Sequence, residues 1–442
     1  MLTILDLNGT VFYTDFNYNH YITWKEVLYK MKTVPFSKSE LEHIASTFHT
    51  PFYIYDEAAI RNNVQRLKNA FGWNQGFREY FAVKTTPTPG IIKLFQQEGC
   101  GAECASLTEL MLAERCGFEG DDIMLTSNVT TVEEYQYASR LGAIINLDDA
   151  AHIPVLESCT GIPETICFRL NFGDQLKYGE TVLIDFADSK FGSTKPQLEA
   201  AYPAVRNLGA KRFGLHTQFG CHKRDPEFFG INARRVFAFT VKLFEKAGIV
   251  IDFVNLAGGI GIPYHAEDEP TDIEAISMQI KKAYDETIGK STLPPVSLYT
   301  ELGIYMTGPY GYFVSRVLYV KQTYKAFVGL DASTNSFMSP SRYNNYHHVT
   351  VMGKESAEPV QRYDITGALC ENRDRFAIDR LLPQINAGDL LVFHDAGAYA
   401  YSHSNNFNGR LRPAELLLHS DGNVSLIRRH ETPDDYFSTM IF

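Results

Sequence analysis

Tryptophan is scarce in this chain, two in 442 residues, and cysteine forms no recognisable set. The seven cysteines, at 100, 104, 116, 159, 167, 221 and 370, are odd in number and irregularly spaced. None stands three residues from another, so no C-x-x-C zinc or redox motif exists. Cys100 and Cys104, four apart, are too weak a pair to imply a metal. A disulfide framework is not expected, and reduced thiols in a cytoplasmic protein fit better. Positive charge is also short. Lys and Arg number 41 against 52 Asp and Glu, a net charge of −11, with no basic run. That balance argues against a nucleic-acid partner. No apolar run approaches roughly 18 residues, so no membrane span is expected. The start, Met1-Leu2-Thr3-Ile4-Leu5-Asp6, lacks a basic region and a long apolar stretch, so no signal peptide is expected.

What is present is a 45% hydrophobic chain long enough for one large domain and a smaller one. Strand-like apolar runs fall at 79–84, 101–105, 123–127, 143–147, 165–171, 212–217, 251–257 and 296–301. Helical patterns lie between most of them, at 107–116, 132–141, 226–247 and 271–288, and another at 58–71 follows a short strand at 52–55. Strands alternating with helices in this way predict a parallel (β/α)8 barrel of the TIM type over 49–303. From about 305 the runs shorten and alternate, at 311–322, 325–330, 347–352, 389–394 and 424–429, which predicts a C-terminal antiparallel β domain over 304–442. The N-terminal segment 1–48 holds strand-like pieces at 2–6 and 11–14 and an amphipathic stretch at 37–48. It is expected to pair with the C-terminal sheet. The stretch 172–188 reads as an irregular loop or insertion.

In such a barrel, chemistry sits at the carboxyl ends of the strands. Those ends carry Lys84, Glu103 with Ser106, Asn128, Asp148, Arg169 with Asn171, His216, the turn Gly258-Gly259-Ile260-Gly261, and Glu301. Lys84 ends the run Tyr80-Phe81-Ala82-Val83. Desolvation lowers an ammonium's pKa, so a lysine at that rim can act as an amine nucleophile toward an aldehyde. Taken alone, a strand-end lysine is more often surface solvation. Glycines at 258–261 let backbone N–H groups approach an anion, although a tight loop needs them equally. An aldehyde-capturing lysine facing an anion cup suits pyridoxal 5′-phosphate. Glu301 then stands as a carboxylate for the pyridine nitrogen, or simply as an ion-paired strand end. Cys370, beside Glu371 in the loop-like segment 367–374, is either a proton donor or a structural thiol. Asp395–Tyr399 and the turn at 406–409 place Tyr399 after a glycine bend.

The ordered motifs Phe81-Ala82-Val83-Lys84, Gly101-Ala102-Glu103-Cys104-Ala105-Ser106 with Glu109, Ser189-Lys190-Phe191-Gly192, Gly214-Leu215-His216, 255–261, Pro263-Tyr264, 367–374, 395–399 and Phe407-Asn408-Gly409 resemble the fold-type III pyridoxal-phosphate decarboxylases. This is the diaminopimelate/ornithine/arginine decarboxylase group, and Cys370-Glu371 is closest to its diaminopimelate decarboxylases. The resemblance covers about 50–415. It implies a carboxy-lyase with Lys84 as the Schiff-base lysine and Glu301 as the pyridine partner. Gly258, Gly259 and Tyr399 would hold the phosphate, and Glu103, His216 and Gln218 would lie around the cofactor. Cys370 would donate a proton, while Glu371, Tyr343 and Tyr399 would meet the amino-acid substrate. Cys370 would enter the other subunit's barrel, making a homodimer with shared sites.

Four positions depart from that pattern. Ile304 stands where Glu-Pro-Gly-Arg would place a substrate arginine, and Ser339 where a second arginine is expected. Gln218 replaces a ring-stacking histidine, and Cys221 a phosphate-contacting serine. Losing two charged hydrogen bonds to a distal carboxylate would cost about 3–6 kcal/mol. Arg342, His222, Lys223 or Arg224 would have to compensate. The expectation is therefore a decarboxylase of an altered amino acid or amino-acid adduct. The alternatives are an authentic diaminopimelate decarboxylase of lysine biosynthesis and a non-catalytic cofactor-binding relative. A racemase is disfavoured by Glu301.

Overall fold

The computed structural model describes residues 3–5, 11–13, 32–178 and 181–442. Two short strands, β1 (Thr3–Leu5) and β2 (Val11–Tyr13), pair antiparallel with each other. After the helix Lys38–Phe48 comes β3 (Phe52–Asp56). Eight strands then close a barrel: β4 (Arg78–Ala82), β5 (Gly101–Cys104), β6 (Ile123–Ser127), β7 (Ile144–Leu147), β8 (Thr165–Arg169) and, after an inserted hairpin β9 (Gln175–Tyr178) and β10 (Thr181–Asp185), β11 (Arg212–His216), β12 (Phe253–Asn255) and β13 (Ser297–Thr300). Every ladder in the barrel is parallel. The near-continuous apolar runs follow from this, because helices cover the outer face while side chains fill the inner one. Tyr80, Met124, Ile144, Cys167 and Phe253, with Tyr299 against them, form the interior plug. Capping boxes start two of the outer helices, Thr131 with Glu134 before Val132–Leu141 and Thr194 with Gln197 before Lys195–Asn207.

The β domain comprises β14 (Gly311–Gln322), β15 (Ala326–Leu330), β16 (Val349–Val351), β17 (Gln361–Thr366), β18 (Arg375–Leu382), β19 (Leu390–Phe393), β20 (Ala414–Leu418) and β21 (Val424–Arg428), together with β3. It is mostly antiparallel, but the β15–β17 and β20–β3 ladders are parallel. The partner that the chain's start lends to this sheet differs from expectation. The expected pairing of 2–6 and 11–14 with it is not what the described residues of those segments do; Leu2, Asp6 and Thr14 lie outside them. The sheet position is filled by β3, which sits between β14 and β20. Its sequence explains why. Phe52 and Ile54 join the cluster under the helix Lys38–Phe48, and Tyr53 and Tyr55 join the main core, so both faces are buried. A strand apolar on both sides is driven to the middle of a layered sheet. By hydrogen bonding, residues 52–56 therefore belong with the β domain rather than with a barrel unit starting at 49. The stretch 172–188 likewise contains the hairpin β9–β10, not irregular loop alone. No helix among the described residues is long and apolar enough to cross a membrane.

Candidate active site at the barrel mouth

Lys84, Glu103, His216, Gln218, Gly258, Gly259, Glu301 and Tyr399 line one cavity of about 370 Å³ at the carboxyl ends of the barrel strands. Lys84 lies in the single-turn helix Val83–Thr85 that follows β4, with 41% of its side-chain surface reachable. It is surrounded yet accessible, as an amine meant for a ligand must be. It pairs with Glu103 of β5. Burial pulls the Lys84 pKa down, but Glu103, Glu301 and Tyr399 outweigh it and hold the group above its ordinary value. Burial pushes Glu103 up to about 7, with Glu301 adding to it and Lys84 opposing. Each partner thus stabilises the other's charged form, and the two titrate as a pair.

Glu301 follows β13 and is oriented from two sides. Asn255 Nδ2 donates to its Oε1 at 2.7 Å, and His216 Nε2 stands 3.5 Å from its Oε2. Asn255 is itself fixed, its Oδ1 accepting from Ala257 N at 2.8 Å. Burial would raise the Glu301 pKa; His216, Lys84 and Asn255 overcome that and hold it at about 2, so the carboxylate is ionised at neutral pH. His216 is 1% exposed, and neither ring nitrogen makes a directed hydrogen bond. Buried imidazole nitrogens without partners are rare and indicate a missing one.

The glycine turn faces this group. A Cβ at Gly258 would lie 2.5 Å from the Glu301 carbonyl oxygen, and one at Gly259, whose φ is +101°, would lie 2.0 Å from the Gly220 carbonyl oxygen. Only glycine permits that approach. Tyr399 arrives from the β domain with φ 53°, anchored by its N–H to the Thr85 carbonyl at 2.9 Å. Gln218 Nε2 donates to the Gly220 carbonyl at 2.6 Å, so its amide is committed to its own loop.

Other strand-end residues divide. Asn128 and Arg169 line the cavity, and Arg169 lies over the Phe191 ring at 4.2 Å and 3.4 Å from Asp148. Ser106 caps the helix Leu107–Arg115, Asp148 accepts from Gly192 N, and Asn171 ties the Phe186 and Phe191 carbonyls. Those three serve the scaffold. Thr126, Phe191 and His222 also line the cavity. Of these, only Phe191 stood in a motif legible beforehand. Cys370, Glu371 and Tyr343 are not brought to this cavity within the chain. Cys370 and Glu371 are exposed in the loop between β17 and β18, and Tyr343 is 50% exposed beside His403.

An eight-stranded barrel whose mouth gathers a reachable lysine, an ionised buried carboxylate and a glycine cradle is that of a cofactor-dependent barrel enzyme. Residues 57–308 match the family described as pyridoxal-dependent decarboxylase, pyridoxal binding domain. The chain is 40% identical over 396 residues to protein TabA of Pseudomonas amygdali pv. tabaci, covering 90% of this chain and 92% of that one. It is 33% identical over 393 residues to the diaminopimelate decarboxylase of Methanothermobacter thermautotrophicus, covering 89% and 92%. The crystal structure of diaminopimelate decarboxylase from M. jannaschii in complex with L-lysine superposes with a TM-score of 0.84 at 28% identity, covering 90% and 94%. The chain belongs to the pyridoxal-dependent decarboxylases, carboxy-lyases that use pyridoxal 5′-phosphate. The mouth suits that cofactor: an amine for its aldehyde, an anionic carboxylate, a buried imidazole whose Nδ1 has no partner, and a glycine turn lining the cavity.

Proposed function

We propose that the chain decarboxylates an amino acid or amino-acid adduct through a substrate-carboxylate site rebuilt relative to the diaminopimelate decarboxylases. The observation that carries this reading is Ile304, an aliphatic side chain lining the cavity where the resemblance calls for an arginine. Ser339, at the second arginine position, is engaged elsewhere, with His347 Nε2 at 2.9 Å and Asn345 Nδ2 at 3.0 Å. Of the four basic residues named for compensation, His222 lines the cavity, but burial lowers its pKa and disfavours the charged form; Arg169, also in the lining, pairs with Asp148. Arg342 lies over Tyr343, Lys223 over Phe228, and Arg224 pairs with Asp268.

Bound at the mouth, pyridoxal 5′-phosphate supplies an aldehyde that captures amines and a ring that takes up the electron pair left when CO₂ departs. Lys84 would be the amine that holds it, and Glu103 would stand as the carboxylate that orients Lys84 and stabilises its charged form. Glu301 would face the cofactor's ring nitrogen as an ionised carboxylate, Gly258, Gly259 and Tyr399 would hold its phosphate, and His216 would lie against it, with Gln218 lining the same cavity. Cys370 would supply a proton to the substrate carbon, and Glu371 with Tyr343 would meet the substrate, reaching the mouth from a second copy of the chain. The exposed loop 367–374 supports that assembly, and seven unpaired cysteines support a cytoplasmic setting.

The test is CO₂ release by the cofactor-loaded enzyme from a panel of amino acids and adducts. The expected result is turnover of a substrate other than diaminopimelate, with diaminopimelate poor. Efficient rescue of a lysine auxotroph would instead make the chain an authentic diaminopimelate decarboxylase. No CO₂ from any candidate would leave a cofactor-binding relative.

A further inference from the structure

The barrel closes between its first strand, β4, and its last, β13. That seam holds only the register pairs Tyr299 with Arg78 and Thr300 with Glu79. Beyond Thr300 the backbone ladder stops and a side chain continues it. Glu79 Oε2 and the Thr300 hydroxyl are hydrogen-bonded at 2.5 Å, and Oε1 accepts from Leu302 N at 2.7 Å. Glu301 stands between those two residues, and its own N–H donates to the Ala257 carbonyl at 2.8 Å. Glu79 is 1% exposed. Tyr80 and Tyr299 turn into the barrel interior, so their neighbours Glu79 and Thr300 face the outer side of the wall. An aliphatic residue would fill that position without burying a polar group, so a carboxyl there calls for a reason.

We infer that Glu79 is a positioning residue for Glu301: its two hydrogen bonds carry the seam past the end of the ladder and fix how far Glu301 projects into the mouth. This rests on the reading of Glu301 as the partner of the cofactor's ring nitrogen. Gly303 tightens the same segment, since a Cβ there would lie 2.1 Å from Thr85 Cγ2, one residue from Lys84. Charge is managed as well. Burial pushes Glu79 up to about 8, with Glu301 and Glu103 adding to it against the Thr300 and Leu302 bonds. Beside it, burial pushes the Cys100 thiol up to about 12. At neutral pH the clasp is therefore a neutral acid and adds no negative charge behind Glu301 and Glu103.

The experiment compares Glu79→Leu, Glu79→Gln and Glu301→Gln with the wild-type holoenzyme. It reads cofactor affinity by titration with pyridoxal 5′-phosphate alone, the NMR shift of an isotope-labelled ring nitrogen, and melting temperature. The Leu variant is expected to bind cofactor about tenfold more weakly and to move the nitrogen shift toward that of Glu301→Gln. The Gln variant, which keeps an acceptor for Leu302 N, is expected to restore both. Wild type is expected to lose affinity as pH rises through about 8, a loss absent in the Gln variant. A Leu variant with lower melting temperature but unchanged affinity and nitrogen shift overturns the inference, leaving Glu79 a fold element. If the Leu variant does not fold, identical pH profiles of wild type and the Gln variant overturn it. An unchanged shift in Glu301→Gln would instead remove the Glu301 assignment, and the inference with it.

Discussion

At the barrel mouth, Lys84, Glu103 and Glu301 are met by groups of their own chain. In the loop 367–374, the Cys370 and Glu371 side chains face outward and engage no partner among the described residues. Yet that loop is held firmly. The buried Asp374 carboxylate accepts from Thr334 N and Leu369 N, both at 2.7 Å. Ala368 N donates to Ser333 Oγ at 2.8 Å, and Cys370 N to Asn408 Oδ1 at 2.7 Å. A fixed backbone presenting unpartnered side chains is a surface made for something else to complete. The mouth's charged groups are met within the chain, whereas the loop offers a fixed backbone with Cys370 and Glu371 left exposed, the feature on which the proposed shared site rests.

Removing the mouth's amine tests the first half. Lys84→Ala should lower turnover by at least about 10³-fold, and borohydride reduction of the wild-type holoenzyme should leave a pyridoxyl adduct mapped to position 84. Near-normal turnover of the variant would break the comparison outright. The second half is tested by Cys370→Ala, expected to lose on the order of 10²-fold through the missing proton donor. Mixing Lys84→Ala and Cys370→Ala subunits should then restore roughly a quarter of wild-type activity, because half the dimers formed carry one intact site of two. No restoration would place Cys370 in its own chain's site or outside the chemistry.

The two regions should also part company on acidification. In the β domain, burial lowers the pKa of His347 and His348 to about 4. The unfolded chain takes up these protons first, so the domain should lose stability as pH falls from about 6.5 toward 4, by roughly 1–3 kcal/mol per histidine. In the barrel, Glu103 and Glu79 are raised to about 7 and 8. The native state binds those protons first, so the barrel should gain stability as pH falls through 8 toward 4.5. Loss of the Glu301 contribution begins only below about 4.5. Hydrogen exchange at pH 7 and pH 5 should show the β domain opening more and the barrel no more. Equal change in both would erase the contrast.

The barrel was legible because its strands are buried on both faces and its helices on one, which writes period and spacing directly into the sequence. The helices Val132–Leu141 and Pro226–Ala247 and the strand Gly311–Gln322 fall where the pattern placed them. In the β domain, β17, β18 and β20 went unread. The burial of β18 runs through buried and exposed positions with no strict alternation, so its signal is carried by cross-strand pairing. The strand β3 was visible but its partner was not, since β14 and β20 lie far along the chain.

The sequence by itself determined the barrel, the lysine, the carboxylate and the glycine turn, because each is a local requirement: a strand end, a charge, a residue without Cβ. Tertiary structure alone decided that His216 and Asn255 would converge on Glu301, that Ser339 would be spent on His347, and that Glu79 would reach Leu302. The barrel contacts join residues that are distant in sequence but adjacent once it closes, and the Ser339–His347 contact depends on how the turn between them folds; no local pattern encodes either.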